Sequence, residues 1–360
     1  MASQRRGETA DASSSSRSSP APGGSPVCGR GRWAVDDVTF RPYRPGDETA
    51  INEGFNEVFS LHRTLDEWRW KFPETRDGRA ILLAADAAGR VLAHYAAVAV
   101  PFQAQGRLVT AGQIVDVYSR REARPGLAAA HVFRDTVRAF VAAYCRPERI
   151  AVAYGFPGTR HMSLVRLGVA SLGEAEMPPL PVSLWSRRVS RRGTPWLLHN
   201  VAAGFDRAAI DDLWRRAASR YPVAVVRDAA RAQARFLGRP GTEYVHLIDH
   251  RRGVAHAWVV VRLQTRQASV VDLVWDGEDP RALAALDRAV GRLAHRAGAA
   301  QVEMWLSGDP AAEAVLARLG WERGRRPDGL AMAAYSFHPH LDVSAFPGSF
   351  YVTMSDADLV

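Results

Sequence analysis

The sequence predicts an α+β (α/β) protein of two tandem domains, each a mixed, mostly antiparallel sheet flanked by helices. Three observations predict it. Residues 81–118 alternate as a three-strand antiparallel meander. Residues 114–168 then read as strand, basic turn, amphipathic helix, apolar strand and short helix. The same order recurs between residues 205 and 335.

At 360 residues the chain has room for about two domains. Its hydrophobic share of 47% and charged share of 24% are those of a globular protein rather than a disordered one. No apolar run reaches the ~18 residues of a membrane-spanning helix, so no membrane span is expected. The start lacks the apolar segment of a secretory signal. Cys28 and Cys145, far apart and without histidines at ligand spacing, make neither a disulfide framework nor a metal site. A reducing, cytoplasmic setting is therefore expected. The net charge of +9 is carried by arginine, with Lys71 the one lysine. Such a surface suits acidic partners, but aromatics are not interleaved with the basic runs, which disfavours nucleic acid. The metalloprotease HExxH, the Walker phosphate loop and the G-x-S-x-G elbow are all absent from the sequence.

Five segments follow. Residues 1–36 are rich in Ser, Pro, Gly and Arg and are expected to be a disordered tail. Residues 37–186 form the first domain, 187–204 an arginine-rich linker, 205–345 the second domain, and 346–360 a last strand with an exposed acidic end.

In the first domain, Val38–Arg44 alternates as a strand and Gly46-Asp47-Glu48-Thr49 opens a helix. Leu65–Phe72 is a second helix whose Trp68 and Trp70 either pack the core or wall a binding site. Strands at 81–85, 91–100 and 107–118 come next, with turns at Asp86–Gly89 and Gln105-Gly106. The turn Ser119–Ala128 leads into a helix with Phe133, Val137, Phe140, Val141 and Tyr144 on one stripe. Ile150–Tyr154 has the length of a buried strand. A helix closed by Gly168 follows, and then a closing strand at Val182–Trp185. Arg187, Arg188, Arg191 and Arg192 make either a solvated connector or a docking patch for an acidic partner.

In the second domain, Val270-Val271-Asp272-Leu273-Val274 parallels Ile114-Val115-Asp116-Val117-Tyr118. Asp279-Pro280 and Asp309-Pro310 each open a helix by N-cap and N1 proline. Leu316–Gly320 parallels Leu164–Gly168. The turns differ: Asp276, Glu278 and Asp279 replace the basic one, and carboxylates beside a diphosphate cost Coulomb energy. Only the first domain is therefore expected to bind a nucleotide there.

A strand feeding a glycine turn at a helix start is a generic anion cradle, because free N–H groups and the helix dipole converge on it. This order of elements resembles the GCN5-related N-acetyltransferase (GNAT) superfamily. Arg-Pro-x-x-x-Gly-Asp at 41–47 resembles the family's entry strand and helix. Gly126-Leu127-Ala128 matches the second half of its Gln/Arg-x-x-Gly-x-Gly/Ala pattern; Ala123 stands at the arginine position, with Arg121 and Arg124 nearby.

The resemblance implies a tandem, two-domain protein with one working and one degenerate half. It implies an acyltransferase moving an acyl group from acetyl-CoA or a longer acyl-CoA to a small-molecule or peptide amine, with no metal and no covalent enzyme intermediate. The donor would lie on Val117, Tyr118, Ser119, Arg121, Arg124, Pro125, Gly126, Leu127 and Ala128. Asp116 is then either the base or a structural carboxylate like Asp272. Tyr154 is either the acid or a core tyrosine, and His161 either ferries a proton or sits exposed at a helix start. Two positions depart from the family: Leu164 stands where a tyrosine is usual, and Gly158 where an asparagine is. An acyl carrier protein as donor, an aminoacyl-tRNA-dependent transferase (with tRNA disfavoured) and a non-catalytic scaffold are the alternatives.

Overall fold

The computed structural model describes residues 38–75, 78–120, 127–158, 175–190, 201–325 and 330–358, with backbone alone for 127–130, 175 and 325. The expected tail, turn residues Arg121, Arg124, Pro125 and Gly126, and the helix with His161, Leu164 and Gly168 lie outside the described residues. So do linker residues 191–200.

The first half runs β1 (Thr39–Pro42), α1 (Glu48–Phe59), α2 (Leu65–Lys71), β2 (Ala80–Ala85), β3 (Val91–Ala104) and β4 (Arg107–Ser119). It continues with α3 (Leu127–Tyr144), β5 (Val152–Gly155), β6 (Ala175–Glu176), β7 (Leu180–Pro181) and β8 (Ser183–Arg188). Thr64 opens α2 by exchanging hydrogen bonds with Glu67 in a capping box. Gln105 and Gly106, at φ 50° and 76°, make the two-residue turn between β3 and β4. The stripe on α3 packs as its spacing predicts, Phe133, Val137, Phe140 and Tyr144 lying among Leu82, Tyr95 and Ile150.

The second half runs β9 (Val201–Ala203), α4 (Arg207–Ala217), β10 (Val223–Val225), α5 (Ala229–Phe236), β11 (Tyr244–Arg251), β12 (Val254–Gln264) and β13 (Gln267–Trp275). Then come α6 (Pro280–Arg296), β14 (Gln301–Ser307), α7 (Pro310–Arg318), β15 (Glu322–Arg325), β16 (Ala331–Ser336) and β17 (Val352–Thr353). Asp279 and Asp309 cap α6 and α7, each with proline in the first turn. No described helix is long and apolar enough to cross a membrane.

The sheet order is β1-β2-β3-β4-β5-β16-β6 in one half and β9-β11-β12-β13-β14-β8-β15 in the other. Each order is the image of the other, with one strand exchanged. β16, late in the chain, pairs antiparallel with β5, while β8, from the first half, pairs with β14. The strand expected at Val182–Trp185 therefore forms, but closes the second sheet because β16 occupies the edge of β5. Arg187 and Arg188, read from sequence as linker, belong to this strand and face Val302 and Gln301. The charge misled there: Arg187 reaches Asp287 at 3.0 Å from the strand's end. Neither sheet is complete without a strand from the other half.

Corresponding strands also carry corresponding irregularities. On β3, Ala96 and His94 face Val115 and Tyr118, which leaves one extra residue in β4. On β12, Val261 and Val260 face Val270 and Asp272, which leaves Val271 extra in β13. Such bulges bend a strand and raise its twist. In β4 the bulge carries Asp116 at φ 51°, a left-handed conformation for a residue with a Cβ.

The acidic end read as exposed is buried instead: Ser355, Asp356 and Ala357 are 3%, 0% and 0% exposed. Arg227, itself 1% exposed, draws it inward by donating to Asp272 Oδ1 at 3.0 Å and to Asp356 Oδ2 at 2.6 Å. Of the strand expected at 348–354, only Val352–Thr353 forms, on the end of β14. Gly308 lets this segment approach, since a Cβ there would overlap the Phe350 carbonyl. Gly308 and Gly298 both have positive φ (82° and 70°), but nothing lies within 4 Å of a Cβ at Gly298. Gly298→Ala should cost only the left-handed penalty of about 1–2 kcal/mol. Gly308→Ala should cost more by chemical denaturation and should open the C-terminus to carboxypeptidase. Equal losses would show that the tail does not depend on this contact.

Candidate active site

β4 and β5 run parallel and are paired only from Ala111/Val152 to Gln113/Tyr154. Beyond that point a cavity of ≈ 370 Å³ lies between residues 114–117 and 153–158. Phe140 and Val141 of α3 and Ala333 and Tyr335 of β16 complete it, so its wall is mainly apolar. Gly155 keeps the throat open, because a Cβ there would come within 3.3 Å of Ile114 Cβ. An apolar slot of this size between splayed parallel strands suits an extended chain whose main-chain polar groups bond to a strand edge.

The equivalent gap in the second half is filled. β13 and β14 pair only from Gln267/Gln301 to Val270/Met304, and beyond that the C-terminal segment bridges them. β17 pairs with Leu306 and Ser307, Tyr351 Oη donates to the Leu273 carbonyl at 2.6 Å, and Thr353 Oγ1 donates to Asp272 at 2.9 Å. At the following turn the Arg220 guanidinium lies where a Cβ on Gly277 would stand. Two of the three acidic residues of that turn are already engaged. Asp276 accepts from Arg216 at 2.8 Å and contacts His256 Nδ1 at 2.8 Å, while Asp279 accepts from Arg251 at 2.7 Å. His256, Asp276 and Glu278 are close enough to hold a cation, but Arg216 supplies that charge.

A charged centre lies beside the open gap. The Asp116 side chain has no exposure and is paired with both Arg63 and Lys71. Lys71 Nζ also donates to Asp358 Oδ2 at 2.6 Å. Burial opposes the charge on Asp116, but Lys71 and Arg63 outweigh it and hold the carboxyl below its usual range. Asp358 behaves oppositely. Burial raises it and the neighbouring Asp116 charge adds to that rise, with Lys71 compensating only in part. Two carboxylates on one ammonium thus have their proton affinities driven apart.

Three cavities meet at this centre. A polar one of ≈ 520 Å³ is lined by residues of α1 and α2 with Arg235 and Arg239. Another, of ≈ 270 Å³, lies between β3, β4 and α5. Asp358 lines all three.

Of the residues singled out in the sequence, Asp116, Val117 and Tyr154 line the apolar cavity. The Tyr118 side chain turns away, stacking on His94 at 5.2 Å and donating to the Ile51 carbonyl at 2.9 Å, so its backbone alone is available to the gap. Ser119 ends β4, opposite Ala93. Leu127 and Ala128 begin α3. Tyr154 is 1% exposed, its hydroxyl has no partner among the described residues, and burial raises its pKa, which makes it a reluctant acid. Trp68 is core, and Trp70 walls the polar cavity. Sequence reasoning missed Lys71, Asp358, Arg63 and Arg235. One signal was available for Lys71: it is the single lysine in a chain whose other 46 basic residues (47 − 1) are arginine.

No protein-family model and no curated protein matches the chain. Solved structures do. A probable N-acyltransferase from Enterococcus faecalis V583 superposes with a TM-score of 0.61 at 12% identity, over 84% of this chain and 72% of that one. A GCN5-related N-acetyltransferase from Kribbella flavida gives 0.57 at 16% identity, over 83% and 70%. Saccharomyces cerevisiae N-myristoyltransferase with bound myristoyl-CoA gives 0.54 at 12% identity, over 87% and 84%. The chain therefore has the GNAT fold in its two-sheet form.

His94, fully buried, places Nδ1 2.6 Å from the Asp116 carbonyl, and burial lowers its pKa from 6.5 to about 4. Between those values the unfolded chain binds more protons than the folded one. Stability contributed by neutral His94 is thus complete above about pH 6.5 and is lost as pH falls through about 4, by at most about 3 kcal/mol. Urea midpoints should fall across that window, and less steeply in His94→Gln. Identical slopes would mean that His94 is not the titrating group.

Proposed function

We propose that the chain is an N-acyltransferase that takes its acyl group from an acyl-CoA and passes it to an amine. The observation that carries this reading is the contrast between the two gaps: one is open and apolar, while its counterpart is filled by the chain's own C-terminus. The GNAT-fold likeness to proteins described as N-acyltransferases, one of them with myristoyl-CoA bound, supports it. The pantetheine arm would bond to the β4 edge at Val117–Ser119, with the diphosphate on the main-chain amides that open α3. The acyl chain would enter the cavity between α3 and β16. The cavity's aromatic and aliphatic wall favours a chain longer than acetyl.

In this reading the amine enters from the polar cavity and attacks the thioester carbonyl. A C–N bond forms, the C–S bond breaks, and CoA leaves as the thiolate, to which Asp358 returns the proton it takes from the amine. The amine's proton passes to Asp358, whose raised affinity suits a proton acceptor, while Asp116 holds Lys71 in place. A carboxylate clasped by two cations, as Asp116 is, makes a poor base. Orientation across the two cavities supplies most of the acceleration.

A thermal-shift series with acetyl-, decanoyl- and myristoyl-CoA tests the donor. Stabilisation should be largest for the long chains and lost in Gly126→Asp. Ala333→Phe, which fills the acyl slot, should reduce the long-chain shift and spare that of acetyl-CoA. No shift with any thioester would leave a non-catalytic GNAT-fold protein as the better reading. Asp358→Asn should lower kcat by about 10²–10⁴-fold with little change in donor binding, the usual worth of a general base.

A further inference from the structure

The polar cavity has an unspent positive charge. Its wall carries Arg63, Lys71, Arg235 and Arg239 against Asp116, Asp358 and Glu67, four cations to three carboxylates. Lys71 is consumed between Asp116 and Asp358, and Glu67 accepts from the Thr64 amide at 2.7 Å to cap α2.

Three buried donors in this wall lack a partner among the described residues: Arg63 Nη2, Trp70 Nε1 and Arg235 Nε. Their side chains are fixed. Arg63 donates from Nε to Asn52 Oδ1 at 2.7 Å, lies 3.7 Å over the Phe55 ring and pairs with Asp116. Arg235 is 8% exposed and donates from Nη2 to the Ala357 carbonyl at 2.5 Å. Trp70 lies under Arg235 and Arg239, at 5.8 and 5.0 Å from its ring. Buried N–H groups held rigidly need an acceptor, which an ordered water or a bound ligand supplies. Fixed guanidinium groups with an indole N–H make a wall complementary to a carboxylate.

We propose that this cavity binds a free amino acid as the acyl acceptor, its carboxylate held by Arg63, Trp70 and Arg235 and its amine delivered to Asp358. This rests on the acyltransferase reading. The spacing supports a short molecule, because Arg235 grips the carbonyl of Ala357, the residue next to Asp358. Anion recognition and proton acceptance therefore sit side by side, as carboxylate and amine do on one α-carbon. The bound carboxylate also balances the fourth cation.

The test uses matched pairs in a thiol-release assay with the full chain and the acyl-CoA that gives the largest thermal shift: L-leucine with isoamylamine, and L-phenylalanine with phenethylamine. Each amino acid should exceed its decarboxylated partner by at least about tenfold in kcat/KM, the worth of one charge-assisted contact. Trp70→Phe, which deletes the indole N–H but keeps an aromatic ring, and Arg235→Lys, which removes the Nε–H and the guanidinium fork but keeps the charge, should each shrink that ratio several-fold through KM. An unshifted donor melting curve in both variants certifies the fold. Equal turnover of amines and amino acids, or a ratio unchanged in both variants, overturns the proposal. Should no acyl-CoA bind, the acyltransferase reading fails by itself, and calorimetry of L-leucine against isoamylamine on the donor-free protein still decides the subsite. Heat from leucine alone supports it; none, or equal heat from both, overturns it.

Discussion

Arg227 sits between Asp272 and Asp356 with almost no exposure, and much else depends on that clasp. A buried guanidinium is tolerable only while its carboxylates stay in place; breaking such a network by removing one partner costs about 3–5 kcal/mol. The clasp pins residues 350–356 across β13 and β14, which closes the second gap. Two residues beyond Asp356, the same segment brings Asp358 to Lys71 at the edge of the first gap. One ion-pair network thus shuts one cleft and furnishes the other.

The two halves share a plan. Each carries an aspartate at a corresponding point of a bulged strand, and each aspartate meets a cation that also reaches the C-terminal segment: Asp116–Lys71–Asp358 in one half, Asp272–Arg227–Asp356 in the other. The difference lies in burial. Arg227 and Asp356 are sealed at 1% side-chain exposure, whereas Lys71 and Asp358 keep 11% and 33% and line cavities. A sealed triad contributes to structure. The accessible one, with its carboxylates driven to opposite proton affinities, faces the cavities instead.

Periodicity and capping made the elements legible in the sequence. The meander, the α3 stripe, the Asp-Pro helix starts and the repeated order all appear where local chemistry places them. Strand exchange was not legible, because the alternation of Ser183–Trp185 says that a strand forms and nothing about whose edge it joins. The buried tail was missed for a related reason. Ser355–Asp358 looks like a solvated acidic end until Arg227 and Lys71, more than a hundred residues away in sequence, are brought to it. Of the site, Asp116 and the β4 edge were visible through the GNAT-like order, while Lys71, Arg63 and Arg235 entered only through tertiary contact. A lone lysine among arginines was the one unread clue.

Hydrogen–deuterium exchange with and without a saturating long-chain acyl-CoA measures the asymmetry of the two gaps most directly. Added protection should appear on the amides of residues 113–119 and 152–158, with residues 270–275 and 305–308 unchanged because their gap is already occupied. Protection of the second set, or of neither, would contradict the assignment of donor binding to the first half.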